Sequence, residues 1–349
     1  MYIGLDIGRQ VVKLVALEKS KTGYKVVKTA QRFIPDQNRP FDPEKVDLPI
    51  RVIAIKELLR QNGIKPKRLK NLVTGISGTN ASVKQITTME MDTNELDSSM
   101  NFEARKHIPM DGTDAVIDYQ ILGPNRNEVD KIDVGLIACT KRVLTNHLDM
   151  IKDSGIKPGI VDVDPVAVMN SFLATHSLPE EGAVVLLDIG AVTSSLIVWG
   201  NQEMFFTRDL PIGIHEMVKD ISARKSLDYL TAQTELISSG VEAFKKPEEA
   251  QGIIAVTDRS ALENFVEDVR RTLRFYAKSS NQSHFTGIYL SGGGSSILGL
   301  DALIQERLQV DTAVFNPFSG METKEDLIEG SPSQYTIASG LAIRGCNQT

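Results

Sequence analysis

The sequence has very little cysteine and no long hydrophobic run. Only 2 of its 349 residues are cysteines, Cys139 and Cys346, and their separation fits neither a disulfide scaffold nor a metal site. No apolar stretch approaches the roughly 20 residues that a membrane-spanning helix requires. The N-terminus runs directly into a predicted strand, without the features of a signal peptide. These absences predict a protein of the reducing cytoplasm.

An excess of positive charge is also lacking. The formal net charge is −6, so the chain as a whole offers no electrostatic reason to bind nucleic acid. The composition, 41% hydrophobic and 24% charged, is that of a folded globular protein. At 349 residues the chain is too long for one simple core, which predicts two domains or two lobes with insertions.

One short phrase occurs twice, about half the chain apart. Gly-Leu-Asp-Ile-Gly covers 4–8 and Leu-Leu-Asp-Ile-Gly covers 186–190, so Asp6 and Asp188 occupy equivalent points. Each phrase ends one β-prone run and is followed by two more. Glycine lets a backbone approach a ligand closely, and turn amides can hold an anion. A single copy would favour an ordinary hairpin turn, but the repetition predicts two half-domains that face each other across a metal-bound polyphosphate.

The order of predicted elements supports the duplication. The first half runs β-β-β-α-β, then a β-α-β-β-α string forms a unit of its own, and the second half repeats the scheme with another insertion. We predict a first lobe, an inserted subdomain, a second lobe and a small second insertion. Their residues are 1–81 with 155–180, 82–154, 181–214 with 258–349, and 215–257, respectively.

A third glycine-rich element follows the strongest amphipathic helix, predicted over 258–280. Here a predicted strand runs into Gly292, Gly293 and Gly294 and then into a predicted helix. This arrangement aims backbone amides and a helix N-terminus at one point. It is neither a Walker A loop nor a dinucleotide fingerprint. After two Asp-Ile-Gly turns, it indicates the adenosine end of a nucleotide.

These elements, in this order, resemble the actin-like ATPase fold, and within it the PilM family of type IV pilus assembly proteins, which is related to FtsA. Among the matching stretches are Glu-Ala-Arg-Lys-His-Ile-Pro at 103–109 and Tyr-Leu-Ser-Gly-Gly at 289–293. The others cover 4–14, 117–122, 161–165, 187–193, 207–209, 316–318 and 340–344. The resemblance implies an α/β fold of the duplicated, ribonuclease H-like actin type, with two lobes and inserted α/β subdomains.

The resemblance also implies an ATP and Mg²⁺ site. Asp6 and Asp188 are expected to hold Mg²⁺ through waters, and Lys13, seven residues after Asp6, to neutralise phosphate charge. Backbone amides near three residues are expected to contact phosphate oxygens, and the glycine run is expected to lie along the adenosine. These residues are Gly8, Gly190 and Thr193 for the phosphates and Gly292, Gly293 and Gly294 for the adenosine.

Two departures from the family pattern bear on hydrolysis. Arg9 and Gln10 stand where the family has small hydroxylic residues, and Arg9 either binds phosphate or fills the site. Gln233 and Leu236 stand where an acid and a lysine are common. The residues that would orient an attacking water are unknown. Asp162 and Asp164 are the only candidates, and Asp164, before Pro165, is equally interpreted as a helix N-cap. We therefore expect nucleotide binding with slow or no hydrolysis.

The implied partner is the N-terminal cytoplasmic tail of a PilN-like bitopic membrane protein. The tail would bind a groove between the first lobe and the inserted subdomain, near Phe102 and the strand from Val83. The chain would then be cytoplasmic, peripheral to the inner membrane through this partner, coupled to pilus motor components and able to self-associate.

Two alternatives remain at this stage. A small-molecule kinase of the same fold would need a dedicated substrate domain and a clear base, and the insertions look too small. An FtsA-like filament protein would carry its own amphipathic tail, which residues 344–349 do not provide. Both alternatives keep the actin-like fold, but the first is an enzyme and the second forms filaments.

Overall fold

The structure is a computed structural model that describes residues 1–21, 23–34, 40–43, 46–69, 71–77, 80–107, 115–201, 203–245 and 259–347. Its strands are β1 (Tyr2–Ile7), β2 (Val11–Ser20), β3 (Gly23–Phe33), β4 (Leu72–Ile76), β5 (Ala81–Met89), β6 (Ala115–Pro124), β7 (Lys131–Thr140), β8 (Ile160–Val163), β9 (Ala183–Ile189), β10 (Ser194–Trp199), β11 (Phe206–Leu210), β12 (Phe285–Ser291) and β13 (Thr312–Val314). Its α-helices are α1 (Leu48–Gln61), α2 (Thr93–His107), α3 (Lys141–Asp153), α4 (Asp164–Leu173), α5 (Ile214–Lys225), α6 (Tyr229–Ser239), α7 (Ala261–Ser280), α8 (Leu300–Leu308) and α9 (Thr336–Asn347).

Two five-stranded sheets have the same topology. The first sheet has the order β3-β2-β1-β4-β8 and the second the order β11-β10-β9-β12-β13. In each, three antiparallel strands form a meander, a fourth strand adds in parallel to the first strand of the meander, and a fifth adds in parallel to the fourth. The predicted duplication of a strand–turn–strand–strand unit is therefore confirmed at the level of strand order.

Two helices lie between the sheets. Helix α9 packs on the first sheet, where a Cβ built on Gly4 of β1 would meet the carbonyl oxygen of Ala338 at 1.9 Å. Helix α4 packs on α9, and a Cβ on Gly340 would meet the carbonyl oxygen of Ala167 at 1.7 Å. On its other side α4 packs Phe172 against the second sheet. Glycine at positions 4 and 340 thus permits the close packing that brings the two sheets towards each other.

The outer faces of the sheets are covered by other helices. Helices α1 and α3 bury Ile55, Leu58 and Ile151 against the first sheet. Helix α7 buries the predicted apolar stripe, including Phe265 and Val269, against the second sheet. This stripe is core, as its spacing predicted. The helix begins at Ala261 behind a capping box, in which Ser260 and Glu263 satisfy each other's backbone amides.

The residues between β4 and β8 form a third sheet, of order β5-β7-β6 and antiparallel throughout. Helix α2 packs on one face of it, against Val134 and Leu136. The other face contacts the second lobe: Gln85 Oε1 accepts a hydrogen bond from the Phe205 amide at 2.7 Å. Thr207 Oγ1 donates to the carbonyl oxygen of Val83 at 3.1 Å. The exact division into four segments at 82–154 and 215–257 stays a prediction.

Some predictions differ in detail from the structure, and others concern residues that the structure does not describe. The three glycines lead into a short 3-10 helix, Gly293–Ser296, and the predicted helix after them, α8, begins at Leu300. The helix start predicted at Asp258, the residues 246–257 of the second insertion and the pair 108–109 lie outside the described residues. Among the described helices, none is long and apolar enough to cross a membrane.

Candidate functional site

The two Asp-Ile-Gly turns line one cavity of about 360 Å³. The first turn joins β1 to β2, and the second joins β9 to β10. They are built alike, because a Cβ on Gly8 would meet the carbonyl oxygen of Val11 at 2.7 Å and one on Gly190 would meet that of Thr193 at 2.6 Å. Only glycine fits either position without a shift of the backbone. A cavity of this size is within the range of small-molecule sites.

Asp6 and Lys13 are cross-strand partners at the first turn. They pair directly in the β1–β2 register, which explains their seven-residue spacing. Lys13 Nζ lies 3.2 Å from Asp6 Oδ2, and Asp6 is only 5% exposed. Because both groups line the cavity, the pair gives this wall one negative and one positive charge close together.

Asp188 at the second turn has a different partner. It is 9% exposed, and Ser291 Oγ of the neighbouring strand β12 donates a hydrogen bond to its Oδ1 at 2.8 Å. Burial raises the pKa of the Asp188 carboxyl and nearby Asp6 adds to the rise, whereas Ser291 and Lys13 lower it. Ser291 lies within the Tyr-Leu-Ser-Gly-Gly stretch, but no local pattern indicated a role for its hydroxyl group.

A third carboxylate, Asp164, lines the same cavity. It is the first residue of α4, whose N-cap is Val163, so the interpretation of Asp164 as an N-cap is wrong. The pKa of its carboxyl is raised well above the ordinary value, chiefly because burial disfavours the charged form, and further because Asp6 and Asp188 are near. Three carboxylates therefore share one enclosed region.

Asp162, the other candidate, does not line the cavity. Its Oδ1 accepts a hydrogen bond from the Val163 amide at 2.8 Å, and its Oδ2 lies 3.8 Å from Arg344 Nε. Burial, the largest effect, raises the pKa of its carboxyl. Of the two aspartates named as candidates for orienting water, only Asp164 is placed to meet a ligand in the cavity.

The glycine run is only partly at the cavity. Gly292 and Gly293 line it, and Gly292 has a φ of 79°, with its α-carbon close enough to Ile189 that a Cβ would meet the Ile189 carbonyl oxygen at 2.5 Å. Gly294 is not among the lining residues and packs on the Ile189 side chain instead, where a Cβ would be 2.2 Å from Cγ2. The run therefore serves close packing beside the second turn as well as access to the cavity.

The cavity lining also includes basic groups. Arg9 comes from the first turn and Arg51 from the first turn of α1. Burial lowers the pKa of Arg51, and nearby Arg9 lowers it further. His147 of α3 also lines the cavity, and its Nε2 is 2.7 Å from Thr74 Oγ1. Burial, followed by the charge of Arg51, lowers the pKa of His147 to about 4, so its ring is neutral at neutral pH.

Several sequence-predicted residues lie elsewhere. Gln233 and Leu236 do not line the cavity, and Leu236 is buried in the core of the second lobe. Phe102 is 62% exposed on α2, whereas Val83 is 7% exposed and packs against the body of the protein. The predicted groove between the first lobe and the inserted subdomain stays a prediction. In the part of the chain that the structure describes, no group of three or more His, Cys, Asp or Glu side chains is arranged to hold a metal ion by itself.

Comparison with known proteins adds a family and a fold. A family model described as type IV pilus assembly protein PilM matches residues 4–346. The cell division protein FtsA of Staphylococcus epidermidis (strain ATCC 12228 / FDA PCI 1200) is 22% identical, over 98% of this chain and 79% of the relative. The FtsA of Bacillus subtilis (strain 168) is 21% identical, over 91% of this chain and 79% of the relative.

Two solved structures are similar to this chain over nearly its whole length. A PilM–PilN type IV pilus biogenesis complex contains a similar chain, with a TM-score of 0.80, 24% identity and coverage of 99% of this chain and 98% of the other. The ethanolamine utilization protein EutJ of Carboxydothermus hydrogenoformans follows with a TM-score of 0.54, 12% identity and coverage of 98% and 89%. With the duplicated sheets, these similarities confirm the predicted two-lobe actin-like fold.

Proposed function

The chain belongs to the PilM family of type IV pilus assembly proteins, and on this premise we propose that it is a nucleotide-binding adaptor that links a membrane partner to the pilus motor. The single observation that carries the nucleotide part is the convergence of two equivalent Asp-Ile-Gly turns on one cavity. Amides near Gly8, Gly190 and Thr193 cradle the phosphates of ATP, and Lys13 neutralises part of their charge.

The residues present suit a divalent cation. Burial, followed by nearby carboxylates that include Asp6, raises the pKa of Asp164 and Asp188, which means that their charged forms are poorly compensated in this structure. A hard cation such as Mg²⁺ prefers carboxylate oxygens, water and phosphate, and would offset this charge. Asp6 and Asp188 would hold it, with water and phosphate completing its ligands.

We propose that the protein acts through binding rather than rapid turnover. Asp164 is the carboxylate at the cavity that would orient water, but its raised pKa leaves it more often protonated than an ordinary aspartate. The first turn presents Arg9 and Gln10 in place of small hydroxyl groups. ATP then acts mainly as a ligand that determines how the two lobes are positioned relative to each other.

The membrane partner is the N-terminal tail of a PilN-like protein. The similar solved structure is a PilM–PilN complex, which supports this choice of partner. On the inserted subdomain, Phe102 of α2 and Ile121 of β6 are large apolar side chains at 62% and 47% exposure. Exposed apolar groups of this size on a small subdomain favour a protein partner. Buried Val83 is no longer part of the proposed surface.

The test is binding of a synthetic tail to the full chain. The tail should be that of the PilN-like protein from the same source, titrated by calorimetry with and without Mg-ATP. Ordering of a flexible tail costs free energy, so we expect micromolar to nanomolar affinity with a negative heat-capacity change. Mg-ATP should change that affinity by roughly 5- to 150-fold if the sites are coupled. No binding at about 100 μM protein, in either condition, would contradict the adaptor proposal.

A further inference from the structure

Two arginines that line the cavity have no counter-ion among the described residues. The Arg9 guanidinium donates one long hydrogen bond, from Nη2 to the carbonyl oxygen of Pro43 at 3.4 Å. Arg51 reaches the cavity from the first turn of α1. Among the ion pairs of the described residues, none involves Arg9 or Arg51. Two neighbouring guanidinium groups without a carboxylate partner in the described structure make this part of the lining a place where an anion is stabilised.

Arg51 also has a buried donor that nothing in the described structure satisfies. Its Nε is buried and has no hydrogen-bond partner. A buried, unpaired donor on a charged group is costly, so proteins seldom leave one without a ligand to complete it. The ring of His147, which lies near Arg51, already contacts Thr74 through Nε2 and is neutral at neutral pH. His147 therefore adds neither a counter-ion nor a competing positive charge.

The cavity lining thus carries groups of both charges. It includes the carboxylates of Asp6, Asp164 and Asp188 and the guanidinium groups of Arg9 and Arg51. A metal nucleoside triphosphate matches both kinds of group, because its cation needs carboxylates and its terminal phosphate carries the most negative charge. The planar guanidinium fork matches phosphate oxygens in pairs.

We infer that Arg51, together with Arg9, binds the terminal phosphate of a nucleoside triphosphate and makes the site selective for triphosphate over diphosphate. The inference rests on the proposed nucleotide site and adds a residue of α1 to it. Arg51 is a specificity residue. Its buried Nε gains a hydrogen-bond acceptor, and its charge gains a partner, only when a third phosphate is present. A diphosphate leaves both arginines unpaired.

Substitution of Arg51 tests the inference on the purified full chain. Arg51→Gln removes the charge, and Arg51→Lys keeps the charge without the fork. Arg60→Gln is the matched control, because Arg60 lies in the last turn of the same helix, is exposed and does not line the cavity. Calorimetric dissociation constants are measured for Mg-ATP and Mg-ADP. Arg51→Gln should weaken Mg-ATP binding roughly 10- to 100-fold and Mg-ADP binding less than about threefold.

The other outcomes separate the inference from the site it rests on. Arg51→Lys should fall between wild type and Arg51→Gln, and Arg60→Gln should match wild type. Equal weakening of Mg-ATP and Mg-ADP binding, or no weakening of either, would overturn the inference. The proposed nucleotide site would still stand, because the wild-type chain would bind nucleotide. Loss of tail binding with unchanged Mg-ATP affinity would also overturn it and make Arg51 a partner contact. A wild-type chain that binds neither nucleotide would refute the nucleotide site and the inference together. Thermal unfolding of each variant identifies any that fails to fold, and Arg51→Lys then decides.

Discussion

The carboxyl group of Asp164 occupies the space beside Gly75 where a side chain would otherwise lie. A Cβ built on Gly75 would meet Asp164 Oδ1 at 2.3 Å, which is closer than real side chains approach. Glycine at this position of β4 lets the first residue of α4 place its carboxylate at the edge of the first sheet. There it joins Asp6 and Asp188 around the cavity. The arrangement favours a ligand that brings positive charge.

Asp164→Asn should stabilise the protein by an amount that grows with pH. The pKa of Asp164 is raised in the folded state above its ordinary 3.8, so the folded state binds more protons between these values. Wild-type stability therefore falls as the pH rises through the folded pKa. Asparagine has nearly the same shape and never carries the charge. Chemical unfolding at a series of pH values, without nucleotide, measures the difference between the two proteins.

The control for this substitution is Asp153→Asn, because Asp153 is exposed at the end of α3. Its effect on unfolding should be small, because substitutions at exposed positions away from special contacts usually change stability little. A gain for Asp164→Asn that does not change with pH would mean that charge at this position costs the folded state nothing.

Asp188→Asn should weaken Mg-ATP binding without weakening metal-free ATP binding. Asparagine keeps an oxygen that can accept the Ser291 hydrogen bond, so the substitution removes charge rather than the local structure. Loss of a group that holds a metal through water typically costs about 10- to 100-fold in metal affinity. ATP titrated in chelator should bind as well as before, or better, because a negative charge is gone.

Asp149→Asn on the exposed face of α3 is the control for Asp188→Asn, and it should leave both affinities unchanged. Equal losses of Mg-ATP and metal-free ATP binding would make Asp188 a structural residue of the turn.

The local features of the site could be predicted from the sequence. Asp6 and Lys13 are seven residues apart because a tight hairpin turn makes them cross-strand partners, and a hairpin is determined by neighbouring residues. The same holds for the second turn. The duplicated phrases therefore predicted two equivalent turns and, through strand order, two equivalent sheets.

The contacts between distant segments could not be predicted. Arg51 follows Asp47 by four residues in an ordinary amphipathic helix, and nothing local shows that its side chain reaches a cavity. The Thr74–His147 contact joins residues from β4 and α3, and depends on how the inserted subdomain packs. For Asp164, the local Asp-Pro pattern favoured an N-cap. In the structure Val163 is the N-cap, so α4 begins at Asp164 and not at Pro165.

His147 should make the protein less stable as the pH falls from about 6.5 to 4. The folded pKa of about 4 lies below the ordinary 6.5, so the unfolded chain binds the proton first in this range. Stability is then lost as the pH decreases, by at most about 3 kcal/mol at the lower limit. Arg51, which lies near the ring, adds to the cost of a second positive charge.

His147→Gln removes this titration, so its unfolding free energy relative to wild type should improve as the pH is lowered through the same range. His284→Gln, at an exposed position, is the control for the same substitution at a solvent-exposed histidine. Parallel wild-type and His147→Gln curves between pH 6.5 and 4 would show that the ring is accessible to protons in the folded state.

Phe102→Ala should weaken binding of the PilN-like tail with little effect on folding. The ring is 62% exposed, and Lys106 Nζ lies 4.7 Å from its centre, so the free protein loses only a surface contact on truncation. Large aromatic side chains dominate many protein interfaces, where truncation costs more than about 1 kcal/mol. If the inserted subdomain provides the docking surface, the tail affinity measured by calorimetry should fall at least about tenfold.

Phe275→Ala on α7 is the matched control, because Phe275 is 55% exposed but belongs to the second lobe. A tail that binds Phe102→Ala as tightly as wild type, or that loses affinity equally with both variants, would place the docking surface away from α2.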